Sequence, residues 1–247
     1  MACALFTESL LEENRVQDAF KAIVRLEWLH GHFFAVKTMA CLRHTQETHG
    51  LPGPPRRRPV PGRPAVCMEF LSKRGRFAQT VLEYILVRLY AERYELAFET
   101  PEWPGNWFFE LDDPLITVRR PSISNMRRYL NQALVERPPV LLADVDIGTP
   151  YTLYRFQHQY RETVRRWLRP RDQWKPFLDP LLTALRSRGR TVVAMHLRRG
   201  DFLEINYPVT ETRSGLDWLE ANWATLDDPV LYIASDELGK VLKDFEK

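Results

Sequence analysis

The sequence predicts an α/β protein with parallel sheets wound by crossover helices. Two observations carry that expectation. From residue 65 onward, short apolar runs suited to buried strands alternate with segments whose apolar residues recur at helical spacing. The run Thr191–Leu197 then leads directly into a cluster of charged residues, and strands of open parallel sheets present ligand sites beyond their carboxyl ends.

Each element follows in order. Residues 8–48 read as helical: Leu11, Val16, Phe20, Ile23, Leu26 and Leu29 or His30 keep roughly to helical spacing without proline. Phe33, Val36, Met39, Ala40 and Arg43 continue the pattern, and Gly31 could separate two helices. Residues 51–64 have proline too often for helix or sheet and predict an extended linker. Its Arg56-Arg57-Arg58 could touch nucleic acid or anionic lipid, but phosphate binding usually needs a structured basic surface, so a solvated run is expected. Ala65–Leu71 suits a strand, and a basic turn over 72–76 leads into a helix over Phe77–Arg93 with Val81, Leu82, Ile85, Leu86 and Leu89 on helical spacing. Strands are then expected at Glu95–Glu99 and Val140–Val145. Tyr154–Leu168 reads as a helix carrying Phe156, Tyr160, Val164 and Trp167 on one side. Phe177–Arg188 predicts a helix, Thr191–Leu197 a strand, Leu216–Thr225 a helix and Pro229–Ala234 a strand. No internal repeat is visible.

Composition narrows the class. Of 247 residues, 45% are hydrophobic and 27% charged, which excludes a wholly disordered chain, a collagen and a membrane-embedded bundle. Lys and Arg number 35 against 32 for Asp and Glu, so the net charge of +3 gives little pull toward nucleic acid. Cys3, Cys41 and Cys67 are far apart and lack a CxxC pair, which argues for free thiols rather than a zinc ribbon or disulfide scaffold. No run approaches the ~20 apolar residues of a membrane span. The N-terminus lacks a positively charged start and a long apolar core, so a reducing, cytoplasmic location is expected; a secretory route stays open if the sequence begins inside a longer chain.

The most informative stretch is Thr191-Val-Val-Ala-Met-His-Leu-Arg-Arg-Gly-Asp-Phe202. A buried strand runs out into His196, Arg198, Arg199 and Asp201. Two adjacent arginines there can meet a diphosphate with fixed, charged donors, and Gly200 lets the backbone turn sharply behind them. Alternatively, Arg198 or Arg199 pairs with Asp201 or a helix carboxylate.

This stretch resembles the hallmark of the fucosyltransferase superfamily, which groups α1,2-, α1,6- and protein O-fucosyltransferases. The family form is His-x-Arg-Arg-Gly-Asp or a close variant. Gly75-Arg76-Phe77, with its apolar helix and Glu95–Glu99, resembles the Gly-Arg-Phe-Gly-Asn-Gln opening of protein O-fucosyltransferases. Leu231-Tyr-Ile-Ala-Ser-Asp-Glu237 resembles the late strand ending in Ala-Thr-Asp or Ser-Asp. The three segments keep the family order over residues 65–247.

The resemblance implies a GT-B fold of two Rossmann-like domains. The expected organisation is a helical segment over 1–50, a linker over 51–64, a first Rossmann-like domain over 65–184 and the start of a truncated GDP-sugar domain over 185–247. It implies transfer of fucose from GDP-fucose to a hydroxyl of a glycan or protein, with inversion and without a metal or further cofactor. By the same resemblance, Arg198 is the catalytic arginine that holds the β-phosphate. His196, Arg198, Arg199 and Asp236 form the donor site, with Asp236 contacting the guanosine, and Gly75, Arg76 and Phe77 belong to an acceptor-side loop. The sequence departs from the family where Gly-Asn-Gln reads Ala78-Gln79-Thr80, and it stops at Lys247, soon after the Asp236 strand. Those departures open a second reading, a non-catalytic nucleotide-sugar-binding or interaction module.

Rival chemistries are weaker. Asp144-Val-Asp146 could be an Asp-x-Asp metal motif, but acidic strand ends are often turns or caps. Tyr151, Tyr154, Phe156 and Tyr160 suit core packing more than base stacking. Neither His30 with His32 nor His44 with His49 has the i, i+4 spacing of paired ligands on a helix. Trp103-Pro-Gly-Asn-Trp107 is expected as a loop with anchoring aromatics that could also line an acceptor cleft. No nucleophile elbow or Walker loop occurs.

Overall fold

The computed structural model describes residues 34–55, 57–72, 77–148, 159–200 and 209–245. The chain divides into two compact units, Met1–Lys175 and Pro176–Lys247. Both are mixed α/β, and among the described residues the strands pair in parallel, with one isolated antiparallel bridge between Phe109 and Pro170.

In the first unit, α1 (Phe34–His49) precedes a segment without regular structure, as its prolines dictate. That segment is nonetheless tied down. Arg57 forms an ion pair with Asp112, Arg63 Nε donates to the Glu95 carbonyl at 3.0 Å, and Arg171 Nη2 donates to the Gly53 carbonyl at 3.0 Å.

β1 (Ala65–Cys67), α2 (Phe77–Arg93) and β2 (Ala97–Glu99) form a βαβ unit, with Ala65 paired to Ala97. The expected Ala65–Leu71 strand stops at Cys67. A 3-10 turn over Glu69–Ser72 replaces its end, where Asp146 Oδ1 accepts the Glu69 N–H at 2.8 Å. The expected Glu95–Glu99 strand starts two residues late. Glu95 sits at φ +57° and the Leu96 N–H turns back to the Ala91 carbonyl, so this part closes the helix instead of pairing.

α3 (Pro104–Phe108), β3 (Ser122–Ser124), α4 (Arg127–Ala133) and β4 (Val145–Gly148) complete the four-stranded sheet, ordered β2-β1-β4-β3. The strand expected at Val140–Val145 is displaced: only Val145 belongs to β4, and Val140 is 66% exposed. Tyrosines explain the shift. Tyr129 OH donates to the Val140 carbonyl and Tyr90 OH to the Leu142 carbonyl, while the Leu142 N–H turns to the same two hydroxyls. Asp144, at φ +55°, then redirects the chain into the sheet.

α5 (Arg161–Trp167) is the described part of the helix expected over Tyr154–Leu168; the stripe residues Tyr151, Tyr154 and Phe156 lie outside the described residues. The core gathers Val66, Ile85, Leu86, Trp103, Leu130 and Ile147 between α2 and the sheet. It also holds a polar triad. Tyr84 OH donates to Asp113 Oδ2 at 2.6 Å, and Arg88 contacts both the Tyr84 hydroxyl and Asp113 Oδ1, the latter at 3.3 Å. The Arg88 guanidinium also lies over Trp167, 4.6 Å from the ring centroid.

The second unit holds α6 (Lys175–Arg186) from its second residue onward, then β5 (Thr191–Leu197), α7 (Thr212–Asn222), β6 (Pro229–Ser235) and the short α8 (Leu238–Val241). β5 and β6 pair in parallel from Thr191↔Pro229 to Leu197↔Ser235. α7 starts four residues before the expected Leu216, and Gly215 permits its close approach to β5: a Cβ there would stand 2.7 Å from Met195 Sδ. Among the described residues, no helix is long and apolar enough to cross a membrane.

Candidate functional site

The full-length pairing of β5 with β6 makes the two strands end side by side, at Leu197 and Ser235. The next residues, Arg198-Arg199 and Asp236, therefore emerge together. Leu197 is 2% exposed and anchors this end. The Arg199 N–H donates to Asp236 Oδ1 at 2.8 Å, and Arg198 Nη1 forms an ion pair with Asp236 Oδ2 at 3.1 Å. The Asp236 side chain is 6% exposed and that of Arg198 is 21% exposed, so the arginine is the more accessible member.

Arg199 does different work. Its guanidinium donates to the carbonyls of Arg198 and Thr210, at 2.7 and 2.9 Å, and to the Thr212 hydroxyl at 2.8 Å. It thus links the end of β5 to the start of α7. Gly200, at φ +27°, takes a backbone conformation that residues other than glycine rarely adopt. His196 is exposed and paired in register with Ala234, one step before the strand ends. Three of the expected donor residues thus converge directly, with His196 beside them. Asp236 is a carboxylate that engages both arginines; Asp201 lies outside the described residues. The sequence carried no signal for Thr210 and Thr212, which Arg199 contacts.

Gly75 and Arg76 also lie outside the described residues. Phe77 is the first residue of α2, and its ring packs against Phe108 and Phe109, with centroids 5.4 and 6.0 Å apart. The Trp103–Trp107 segment is a helical turn rather than a loop. Trp103 is 0% and Trp107 2% exposed, so neither indole offers a face to a sugar. Pro104 at the helix start and Gly105, whose absent Cβ leaves room for the Trp103 ring, allow this packing.

The first sheet aligns Cys67 with Glu99 on one side and Asp146 on the other. Arg120 grips Glu99 through two bonds of 2.7 and 2.9 Å. Asp146 Oδ1 takes the Glu69 N–H and the Cys67 thiol, while Asp144 Oδ1 takes the Ala65 N–H. Asp144 and Asp146 thus each give one carboxylate oxygen to a backbone N–H in or just beyond β1. Burial, reinforced by the charge of Asp146, pushes the Cys67 thiol up to about 12. Cys67 should consequently resist iodoacetamide at pH 8 in the native state and react on unfolding, as read by mass spectrometry of its peptide. Ready native-state alkylation would contradict the packing around β1.

No family model matches the sequence, and no curated protein matches it. Among solved structures, the fucosyltransferase NodZ from Bradyrhizobium is similar with a TM-score of 0.46 and 13% identity, over 74% of this chain and 75% of that one. A likeness of that size bears on neither activity nor substrate.

Proposed function

We propose that the chain is a fucosyltransferase-like glycosyltransferase that transfers fucose from GDP-fucose to a hydroxyl of a glycan or protein, with inversion and without a metal. The observation that supports this reading most directly is Arg198, held at the carboxyl ends of two parallel strands inside the sequence His196-Leu-Arg-Arg-Gly-Asp201. In the reaction, the acceptor hydroxyl oxygen bonds to the anomeric carbon and releases its proton to solvent as the sugar–phosphate bond breaks. The bonding pair leaves with GDP, and charge grows on the β-phosphate. A preorganised guanidinium meets that charge with a planar fork and stabilises the transition state more than the ground state. Arg199 serves this site as a clasp on Thr210 and Thr212, with its guanidinium already engaged.

GDP should raise the melting temperature, because a ligand that binds only the native state stabilises it by mass action, and ADP should not. Equal shifts with GDP and ADP would reduce the site to a general phosphate binder.

A second reading, a nucleotide-sugar-binding module without turnover, draws support from the Ala78-Gln79-Thr80 departure. These residues form the first turn of α2: Thr80 is buried, and Gln79 Nε2 donates to Glu83 Oε1 at 3.1 Å. GDP binding without turnover of GDP-fucose would favour it.

A further inference from the structure

We infer that Asp236 is the counter-charge that holds Arg198 ready and restrains its affinity for anions, rather than a contact to the nucleoside. This rests on the donor-site reading of Arg198. Both carboxylate oxygens face the strand-end arginines. Oδ1 accepts the Arg199 N–H, and Oδ2 lies 3.1 Å from Arg198 Nη1. With 6% of its side chain exposed, Asp236 has little surface left for a purine.

The two contacts differ in quality. The Oδ1 bond is a well-formed backbone hydrogen bond, fixed because β5 and β6 end in register. The Oδ2 contact is close but lacks hydrogen-bond alignment, and among the described residues Oδ2 has no hydrogen bond. A phosphate oxygen aligned with the guanidinium fork makes the stronger, charge-assisted bond. Arg198 can therefore re-partner from Asp236 to a phosphate while Asp236 stays fixed by Arg199. The price is a fixed negative charge beside the incoming diphosphate. Asp236 thus orients Arg198 and weakens product retention together, which suits a site that must release a diphosphate.

The test is Asp236→Asn, which keeps an acceptor for the Arg199 N–H and removes the charge. Titration calorimetry would use inorganic pyrophosphate, GDP and guanosine, with circular dichroism to check folding. Pyrophosphate and GDP should both bind at least roughly tenfold more tightly to D236N, a little above the effect of removing one like charge at about 4 Å under water-like screening, with guanosine unchanged. A contact to the nucleoside predicts the opposite pattern: weaker GDP and guanosine, and unchanged pyrophosphate. That pattern, or equal affinities in both proteins, overturns the inference and leaves the donor site standing. Failure of both proteins to bind pyrophosphate and GDP overturns the inference and the donor reading together. Binding by D236N alone supports the restraint in its strongest form. Asp236→Ser is the second neutral variant if Asn does not fold, and unfolding of both would make the pair a structural staple and overturn the inference.

Discussion

Arg198→Ala should lower turnover of GDP-fucose by about 10²–10³-fold, the usual loss when one preorganised donor to a developing negative charge is removed. The Arg198 guanidinium at the end of β5 pairs with Asp236, whereas that of Arg199 is engaged with the Arg198 and Thr210 carbonyls and the Thr212 hydroxyl. Arg198→Lys should rescue poorly, because an ammonium lacks the planar fork that meets two phosphate oxygens. The alanine variant also leaves Asp236 without its ion-pair partner, so some loss of stability belongs to that carboxylate and not to catalysis. Adding Asp236→Asn to Arg198→Ala should restore stability while turnover stays low, which separates the two effects. Turnover is read as fucose transferred or donor hydrolysed. Equal turnover in wild type and Arg198→Ala would make the arginine structural and end the proposed mechanism. No turnover in either, with GDP still bound, would leave the binding-module reading.

The sequence revealed most where local pattern and tertiary context agree. Thr191–Leu197 is a strand over the expected residues, since a β-branched start after Gly189 favours pairing, but it is alternately half-buried and exposed rather than buried up to Leu197. Phe77–Arg93 is likewise a helix over the expected span, although its burial exceeds one stripe because Tyr84, Val87 and Tyr90 are enclosed as well. The failures have a common cause in side chains that displace backbone pairing. Val140–Leu142 is apolar enough for a strand, yet hydroxyls from Tyr90 and Tyr129 satisfy Leu142 at a point the ladder would have used. Trp103 and Trp107 looked like loop aromatics because Pro and Gly lie between them, but Pro104 starts a helix and Gly105 makes room for an indole. In the site, the sequence singled out Arg198, Arg199 and Asp236. It did not show that Asp236 holds Arg198, because that contact depends on the register that ends both strands together.

Asp113→Ala should destabilise the first unit by about 3–5 kcal/mol, the range for breaking a buried ion pair and stranding its partner. The side chains of Arg88 and Asp113 are 14% and 6% exposed, and the Tyr84 hydroxyl, buried with them, donates to the carboxylate. Burial pushes the Asp113 carboxyl up from its ordinary value, although the Arg88 charge and the Tyr84 hydroxyl pull it down. For a carboxyl raised in the folded state, stability is fully present below its unfolded pKa and declines as pH rises through the folded pKa. Wild type should therefore lose ground against Asp113→Asn on going from strongly acidic conditions toward neutrality, and the difference should then level off. At neutral pH, Asp113→Asn should cost less than Asp113→Ala, because the amide oxygen still accepts from Tyr84 and Arg88. Arg88→Met and Asp113→Leu combined with Tyr84→Phe should recover much of the loss, since the triple change removes both buried charges, strands no hydroxyl and keeps an apolar side chain near Trp167. Urea unfolding of the four proteins at several pH values measures all of this. A loss below about 1 kcal/mol for Asp113→Ala, within the range of surface pairs, would mean that water reaches the triad and that α2 is not fixed through Arg88.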